Sequence, residues 1–358
     1  MADKHQQVIF PVIGGSGEYS YSRHSAFQRN AVEAAKELIN KAIAEKLDFN
    51  SFSSSKTFRV ADLGCSEGPN TFVAVQNIVD AVELKYQSQG LSYEQLPEFQ
   101  IFFSDVNSNN FNKLFASLPP ERRYFANGVP GSFHGRLFPS ASLHFVHSSY
   151  SVQILSRVPK EVEDKNSPAW NKGRIHYCNA SDEVFKAYEA QYFKDMESFL
   201  NARAKEIVHG GLMALIVPYC PNGTPHSEVF VNRAIELLGS SFMDLAKKGT
   251  ISEEKVDSFN LPLFNASFQH IEGVVKQNGC FTIEMVENIP QVKPQPEVFA
   301  STMRSGMEGM TKGHFGDEFN LDELFDLLSK KFEESLISTF EQEKALALFV
   351  LLKRVANN

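Results

Sequence analysis

Phe58-Arg59-Val60-Ala61-Asp62-Leu63-Gly64-Cys65-Ser66-Glu67-Gly68-Pro69-Asn70 reads as a short strand, a turn of small residues and the opening of a helix. The strand runs from Phe58 to Leu63, and the helix beyond Asn70 carries Val75, Ile78, Val79 and Val82 on one face. A strand that ends on a carboxylate and passes through glycines into a helix lets backbone approach a nucleotide-like ligand closely. The spacing is not Gly-x-Gly-x-x-Gly, and no Lys-Ser/Thr pair closes the turn, which excludes a dinucleotide fingerprint and a phosphate loop. A carboxylate in this place suits a ligand with positive charge and no phosphate, which describes S-adenosylmethionine. A second strand, Phe99 to Phe103, runs into Ser104-Asp105-Val106, where a carboxylate can accept both ribose hydroxyls while Val106 faces adenine. Alone, either Asp is an ordinary turn or cap residue. Together, at successive strand ends, they point to a nucleoside.

Outward from this core the chain alternates. Strands are predicted at Leu143 to Val146, at Leu212 to Val217 (launched by a Gly210-Gly211 turn) and at the apolar run Ala345 to Arg354. Helices are predicted from Ser25 to Leu47, with Ser25 as N-cap, and from Ser181 to Ile207, with Phe185, Tyr188, Tyr192, Met196 and Phe199 on one face. The implied fold is α/β: a Rossmann-like, mostly parallel, doubly wound sheet. Residues 159–180 and 220–315 break the alternation, being polar around Trp170 in the first case and mainly helical or loop-like in the second. Both are assigned to a helical cap over the open end of the sheet, where such folds bind ligands. The core then comprises residues 31–158, 181–219 and 316–358. Ser51 to Ser55 reads as a loop.

The 358 residues carry a formal net charge of −8, which argues against a nucleic-acid partner, since phosphate binding needs a basic stripe. No stretch approaches the roughly 20 apolar residues of a membrane helix. The N-terminal residues lack the pattern of a secretory signal. Four scattered cysteines show neither metal-ligand spacing nor a disulfide framework, so a reducing, cytoplasmic setting is expected. The chain has 31 phenylalanines against one tryptophan, more rings than a core needs; a greasy pocket can hold some of them.

The chain resembles the SABATH family of plant carboxyl and nitrogen methyltransferases along nearly its whole length. The match lies in Gly14-Gly15-Ser16-Gly17-Glu18-Tyr19-Ser20-Tyr21, Ala61 to Asn70, Asn109-Asn110-Phe111-Asn112 and Gly128-Val129-Pro130-Gly131-Ser132-Phe133. It continues in His147-Ser148-Ser149-Tyr150-Ser151, Trp170-Asn171-Lys172-Gly173, Asp257-Ser258-Phe259-Asn260-Leu261-Pro262 and His314-Phe315-Gly316. Within the family it looks most like the loganic acid branch. The resemblance implies S-adenosylmethionine contacts at Tyr21, Ser25, Asp62, Asn70, Asp105, Val106, Ser132 and Phe133, with Tyr150 near the reacting methyl. It also implies that residues 1–30 gate the bound cofactor, that the protein pairs into a homodimer, and that Mg²⁺ sits against Asn171, Asp257, the Phe259 carbonyl and Asn260. The oxygen donors of that set suit the ion, although Asp257 and Asn260 can equally be turn residues.

Methyl transfer from a sulfonium is a direct displacement with an excellent leaving group, so no catalytic nucleophile or base is assigned. Positioning supplies the rate, with effective molarities of about 10⁵ M or more when alignment is good. Rings near the sulfonium, with Phe133 and Tyr150 as candidates, can add about 1 kcal/mol of cation–π attraction. Carboxyl-methylating relatives hold the substrate carboxylate with a Gln and a Trp. Gln28 is present here, but the segment reads Tyr150-Ser151-Val152-Gln153-Ile154, with Ile in place of the Trp, and Phe264 stands where a Tyr is usual. A buried carboxylate short of donors is costly, so the acceptor oxygen is either an enol or acidic phenol held by Gln28 and Gln153, or a larger acid held otherwise. Ile154, Ile235, Phe264 and Met303 would supply the apolar walls. Other classes are an N-methyltransferase, a nicotinamide oxidoreductase, which shares the sheet but lacks the glycine fingerprint, and a non-catalytic small-molecule binder.

Overall fold

The computed structural model describes residues 12, 14, 17–49, 56–336 and 345–356. The helices α1 (Tyr21–His24), α2 (Ala26–Ala34) and α3 (Lys36–Lys46) precede β1 (Thr57–Leu63) and α4 (Asn70–Ser88). Next come β2 (Glu98–Asp105), α5 (Phe111–Ala116), β3 (Phe125–Pro130), β4 (Leu143–Ser149), α6 (Asp182–Glu206) and β5 (Ile207–Pro218). The chain continues through α7 (Phe230–Lys247), α8 (Glu253–Asp257), α9 (Phe268–Asn278) and β6 (Phe281–Gln291), then α10 (Pro296–Phe315), α11 (Leu321–Leu336) and β7 (Ala345–Arg354).

The seven strands form one sheet in the order β3-β2-β1-β4-β5-β7-β6. The first five run parallel, and β7 is antiparallel to both β5 and β6. Both faces are covered, which explains why β7 is apolar at nearly every position. Ala347, Phe349 and Leu351 pack in the cluster that holds Ile39 and Ile43 of α3 and Val75, Ile78, Val79 and Val82 of α4. Leu348, Val350 and Leu352 join the opposite cluster, with Tyr188, Tyr192, Met196 and Phe199 of α6 and Val274 of α9. Strand order reverses between β1 and β4. Their carboxyl ends therefore diverge into a crevice, the usual ligand position in such sheets.

The fold class expected from sequence is the one observed, with four local differences. The helix predicted from Ser25 to Leu47 is broken at Ala35, and Ser25, although at the N-cap of α2, makes no side-chain cap bond. Gly210 and Gly211 do not launch β5 but lie inside it, where its register against β4 shifts. A Cβ on Gly211 would stand 2.6 Å from the Ile207 side chain and 3.0 Å from the His144 carbonyl, so Gly211 serves close strand packing. The stretch assigned to the cap contains β6, an edge strand paired along its length with β7. Conversely α11, assigned to the core, packs on α7 and α10 through Leu324, Phe325, Leu328 and Phe332. The cap is thus α7, α8, α10 and α11, and the short α1 packs against α10. Ser51 to Ser55, Gly15 and Ser16 lie outside the described residues.

Candidate active site

The carboxyl ends of β1, β2 and β4 and the inner faces of α7 and α10 enclose a cavity of about 260 Å³. Its floor is the turn after β1. Gly64 leaves the strand at a φ of +87°, and a Cβ there would stand 1.9 Å from Ser151 Oγ, so only glycine fits. Ser66 and Tyr150 hold φ values of 52° and 51°, which L side chains rarely adopt and which concentrate at functional sites. Ser66 is held there by the tip of β2: its N–H donates to Asp105 Oδ2 at 2.7 Å, and its carbonyl accepts from Asn109 Nδ2 at 2.9 Å. Asp105 Oδ1 accepts from the Val106 N–H at 2.8 Å. Burial pushes the Asp105 carboxyl up to about 6, against the pull of these two backbone donors.

Asp105, Val106, Ser132 and Phe133 all line the cavity, as does Tyr21. Asp62 and Asn70 do not. They face a smaller adjoining cavity with Thr71, His147, Tyr21 and Gln28, the last two bordering both spaces. Asp62 Oδ1 meets His147 Nδ1 at 2.6 Å, and the Thr71 hydroxyl donates to Oδ2. Ser25 lines neither cavity; its carbonyl accepts from Asn70 Nδ2 at 3.2 Å, and its side chain and Asn70 both bond the Tyr21 phenol. Burial pushes that phenol up to about 12, keeping it neutral.

On the cap side, Gln28, Tyr150, Gln153, Ile154, Ile235 and Met303 line the cavity as expected. A β-bridge between Ile154 and Leu263, together with the Phe264 N–H donating to the Gln153 carbonyl at 2.9 Å, pins the Gln153-Ile154 loop. Burial pushes the Tyr150 phenol upward, so it too stays protonated. Phe264 is the exception. It is fully buried between Tyr177 and Tyr192, both rings 5.0 Å away, and does not reach the cavity. Its neighbours Leu263 and Asn265 do, because consecutive residues of extended chain face opposite sides.

Gln28 Oε1, Ser66 Oγ, Asn70 Oδ1, Ser149 Oγ, Tyr150 OH and Gln153 Oε1 are buried without a protein partner. All six residues border these two cavities. Native interiors rarely leave such atoms unsatisfied, so the set is matched to a polar ligand. Carboxylates at two strand tips, unpaired oxygens and a floor only glycine permits fit a cationic nucleoside without phosphates.

The family profile for SAM dependent carboxyl methyltransferases matches residues 7–355. The chain belongs to that family. It is 47% identical to a loganic acid O-methyltransferase of Catharanthus roseus, over 97% of this chain and 95% of the relative. It is 42% identical to a farnesoic acid carboxyl-O-methyltransferase of Arabidopsis thaliana, over 96% and 99%. A solved structure of loganic acid methyltransferase with S-adenosylhomocysteine superposes with a TM-score of 0.92 at 46% identity, covering 97% of this chain and 99% of that one. The chain is therefore an S-adenosylmethionine-dependent methyltransferase, as its SABATH motifs implied.

Sequence reading missed several residues lining the methyltransferase cavity: Phe27, His134, Asn265, Phe299, Met307 and Met310. Phe299, Met303, Met307 and Met310 recur at helical spacing on α10, a stripe visible in the sequence once the helix is known to cover a site. His134 packs at a tilt against Phe133 with ring centres 4.7 Å apart, and burial pushes its imidazole down, toward the neutral form.

Of the residues expected to hold Mg²⁺, Asn171 and Asn260 meet directly, and Asp257 binds the loop that follows Asn171. Asn171 Nδ2 donates to Asn260 Oδ1 at 2.8 Å, and Asp257 Oδ1 accepts from the Gly173 N–H at 2.7 Å. Asn171 Oδ1 is buried with no protein partner, an oxygen donor of the kind a hard cation takes, and to that extent the residues fit the ion. Among the described residues, no group of three or more His, Cys, Asp or Glu forms a stronger metal site, and no helix is long and apolar enough to cross a membrane.

Proposed function

We propose that this methyltransferase alkylates an acidic oxygen on a largely apolar plant metabolite, with the greasy body of the acceptor against α7 and α10. One observation carries the reading: buried, unpartnered oxygens of Gln28, Tyr150 and Gln153 stand opposite a wall of Phe, Met and Ile, and no described lining residue is Lys or Arg. S-adenosylmethionine supplies a methyl group on a cationic sulfur. The chain's own residues do the rest. Asp105 holds the ribose, Ser132 and Phe133 border the adenine, and Asp62 with Asn70 takes the amino-acid tail; the Gln28 and Gln153 amides orient the acceptor oxygen.

Both relatives named above act, by name, on carboxylic acids, and neither N-methylation nor a silent binder is favoured. Inside the acid class, this chain presents amides and a phenol where a carboxylate asks for stronger donors. That favours an oxygen whose charge is spread more widely than a carboxylate's, as in the enolate of a β-dicarbonyl. A Mg²⁺ ion at Asn171, Asp257, Phe259 and Asn260 would tie the 171–173 loop to α8, and the active unit is proposed to be a homodimer. Purified protein assayed with labelled methyl donor against loganic acid, farnesoic acid and a β-dicarbonyl enol of similar bulk tests the assignment. Turnover of the enol above both acids is the expected result. Efficient turnover of an acid alone would refute the enol assignment, and no methylation of any oxygen acid would refute the function.

A further inference from the structure

His147 opens the His147-Ser148-Ser149-Tyr150-Ser151 motif and borders the smaller cavity. His147 is 2% exposed and sits directly across the β1–β4 ladder from Asp62, at the point where strand order reverses. Paired residues of parallel strands point to the same side, so the imidazole lies against the carboxylate, with Nδ1 2.6 Å from Oδ1. Thr71, in the first turn of α4, donates its hydroxyl to the other carboxylate oxygen. Asp62 is thereby clamped between a strand and a helix start.

The cavity these groups border is built of acceptors: the Asp62 carboxylate, Asn70 Oδ1 and Gln28 Oε1, the last two with no protein partner. Such a set matches an ammonium, which donates three hydrogen bonds and carries one charge. An imidazole whose Nδ1 meets one carboxylate oxygen steadies Asp62 and keeps the carboxylate turned toward that ligand. Second-layer donors of this kind fix the angle of a carboxylate that would otherwise rotate.

We propose that His147 is a positioning residue for methyl-donor binding, orienting Asp62 toward the ammonium of the donor's amino-acid tail. The proposal rests on the reading that Asp62 meets that tail. His147 touches neither reacting atom, so its loss changes donor affinity while leaving the displacement step and the acceptor cavity intact.

The test uses His147→Leu, which keeps bulk and removes the donor, and His147→Asn, whose amide nitrogen can stand where Nδ1 stood. Two ligands separate positioning from general damage: S-adenosylhomocysteine, which has the tail, and 5′-methylthioadenosine, which keeps the nucleoside and lacks it. In His147→Leu, calorimetry is expected to show a tenfold or larger loss of affinity for S-adenosylhomocysteine with methylthioadenosine bound as in wild type. The KM for the donor rises in step, kcat at saturating donor changes less than threefold, and His147→Asn recovers most of the affinity. Equal losses for both ligands, or an Asn variant as weak as the Leu variant, would overturn the proposal. If His147→Leu does not fold, Thr71→Val removes the second clamp and is expected to show the same split between ligands; no split overturns it equally. Asp62→Asn keeps the two failures apart. Wild-type affinity in Asp62→Asn sinks the underlying reading of Asp62, whereas a large loss there beside an unaffected His147→Leu sinks only the role of His147.

Discussion

The two ends of the cavity are made differently. At the sheet end, a few residues from two strand tips are locked by backbone: Asp105 accepts from the Ser66 and Val106 N–H groups, and Gly64 is fixed by the nearness of Ser151. At the cap end, the walls are side chains of helices far apart in sequence, Ile235 on α7 and Phe299, Met303, Met307 and Met310 on α10. Thioethers are soft and unbranched and repack around different shapes. The contrast separates a rigid grip on one constant ligand from an adaptable surface for a variable one. Substitutions at the sheet end should act on donor binding and be severe; those at the cap end should redistribute acceptors and be milder.

The largest effect is expected at Asp105. In the proposed donor site its carboxylate accepts two charge-assisted hydrogen bonds from the ribose, each contributing about 1.5–3 kcal/mol. Asp105→Ala should therefore weaken S-adenosylhomocysteine binding at least ~100-fold by calorimetry while leaving the cap packed. A loss under threefold would erase the distinction between the two ends.

The same residue makes donor binding depend on pH. Because burial raises the Asp105 carboxyl to about 6, the free site is ionised above that pH and protonated below it. Ribose hydroxyls donate to the ionised form, so affinity is full at pH 7–8 and falls as pH drops through 6, by about tenfold at pH 5. Folding follows the opposite sign. The native carboxyl keeps its proton to a higher pH than an unfolded one, so this group's contribution to stability declines as pH rises from about 4 through 6. Titration calorimetry from pH 5 to 8 on wild type and Asp105→Ala checks the first statement; a wild-type curve as flat as the variant's would contradict it.

At the cap end, Ile154→Trp returns an indole N–H to the acceptor pocket. The ratio of kcat/KM for a carboxylic acid over an enol acceptor should rise about tenfold, the worth of one added hydrogen bond to a charged oxygen. Donor affinity should stay within twofold, since Ile154 makes none of the contacts that hold Asp105 and Gly64. A large change in donor affinity with no change in acceptor ratio would show the two ends to be coupled.

The same division explains what the sequence reveals. The donor grip is local: thirteen consecutive residues from Phe58 to Asn70 and the Ser104-Asp105-Val106 tip carry strand, turn and helix signals together. β7 was legible because both its faces are buried. β6 was not, although Phe281, Met285 and Ile289 are buried at regular intervals, because it is an edge strand with polar residues between them and a register shift at Ile283/Met285. β3 hides for a similar reason: Phe125 to Pro130 is an exposed edge with Asn127-Gly128, a turn-like pair, in its middle. The acceptor cavity is the hardest part, since its lining is chosen by how α7 and α10 cross, which no local pattern records.

Phe264 shows how that difficulty misleads, and it yields the smallest predicted effect. From its place in the family pattern it was assigned to the acceptor pocket, yet its ring packs in an aromatic cluster with Tyr177, Phe185 and Tyr192. Phe264→Tyr adds a hydroxyl at a site with no exposure. If the cluster offers no partner, the desolvation cost is about 1–3 kcal/mol, read as a drop of a few degrees in Tm. Acceptor kcat/KM should remain within twofold, because Leu263 and Asn265, not residue 264, line the cavity. A variant with unchanged Tm and a shifted acceptor preference would place this residue back at the pocket wall. The boundary between core and cap would then run through the Pro262–Asn265 segment rather than along one side of it.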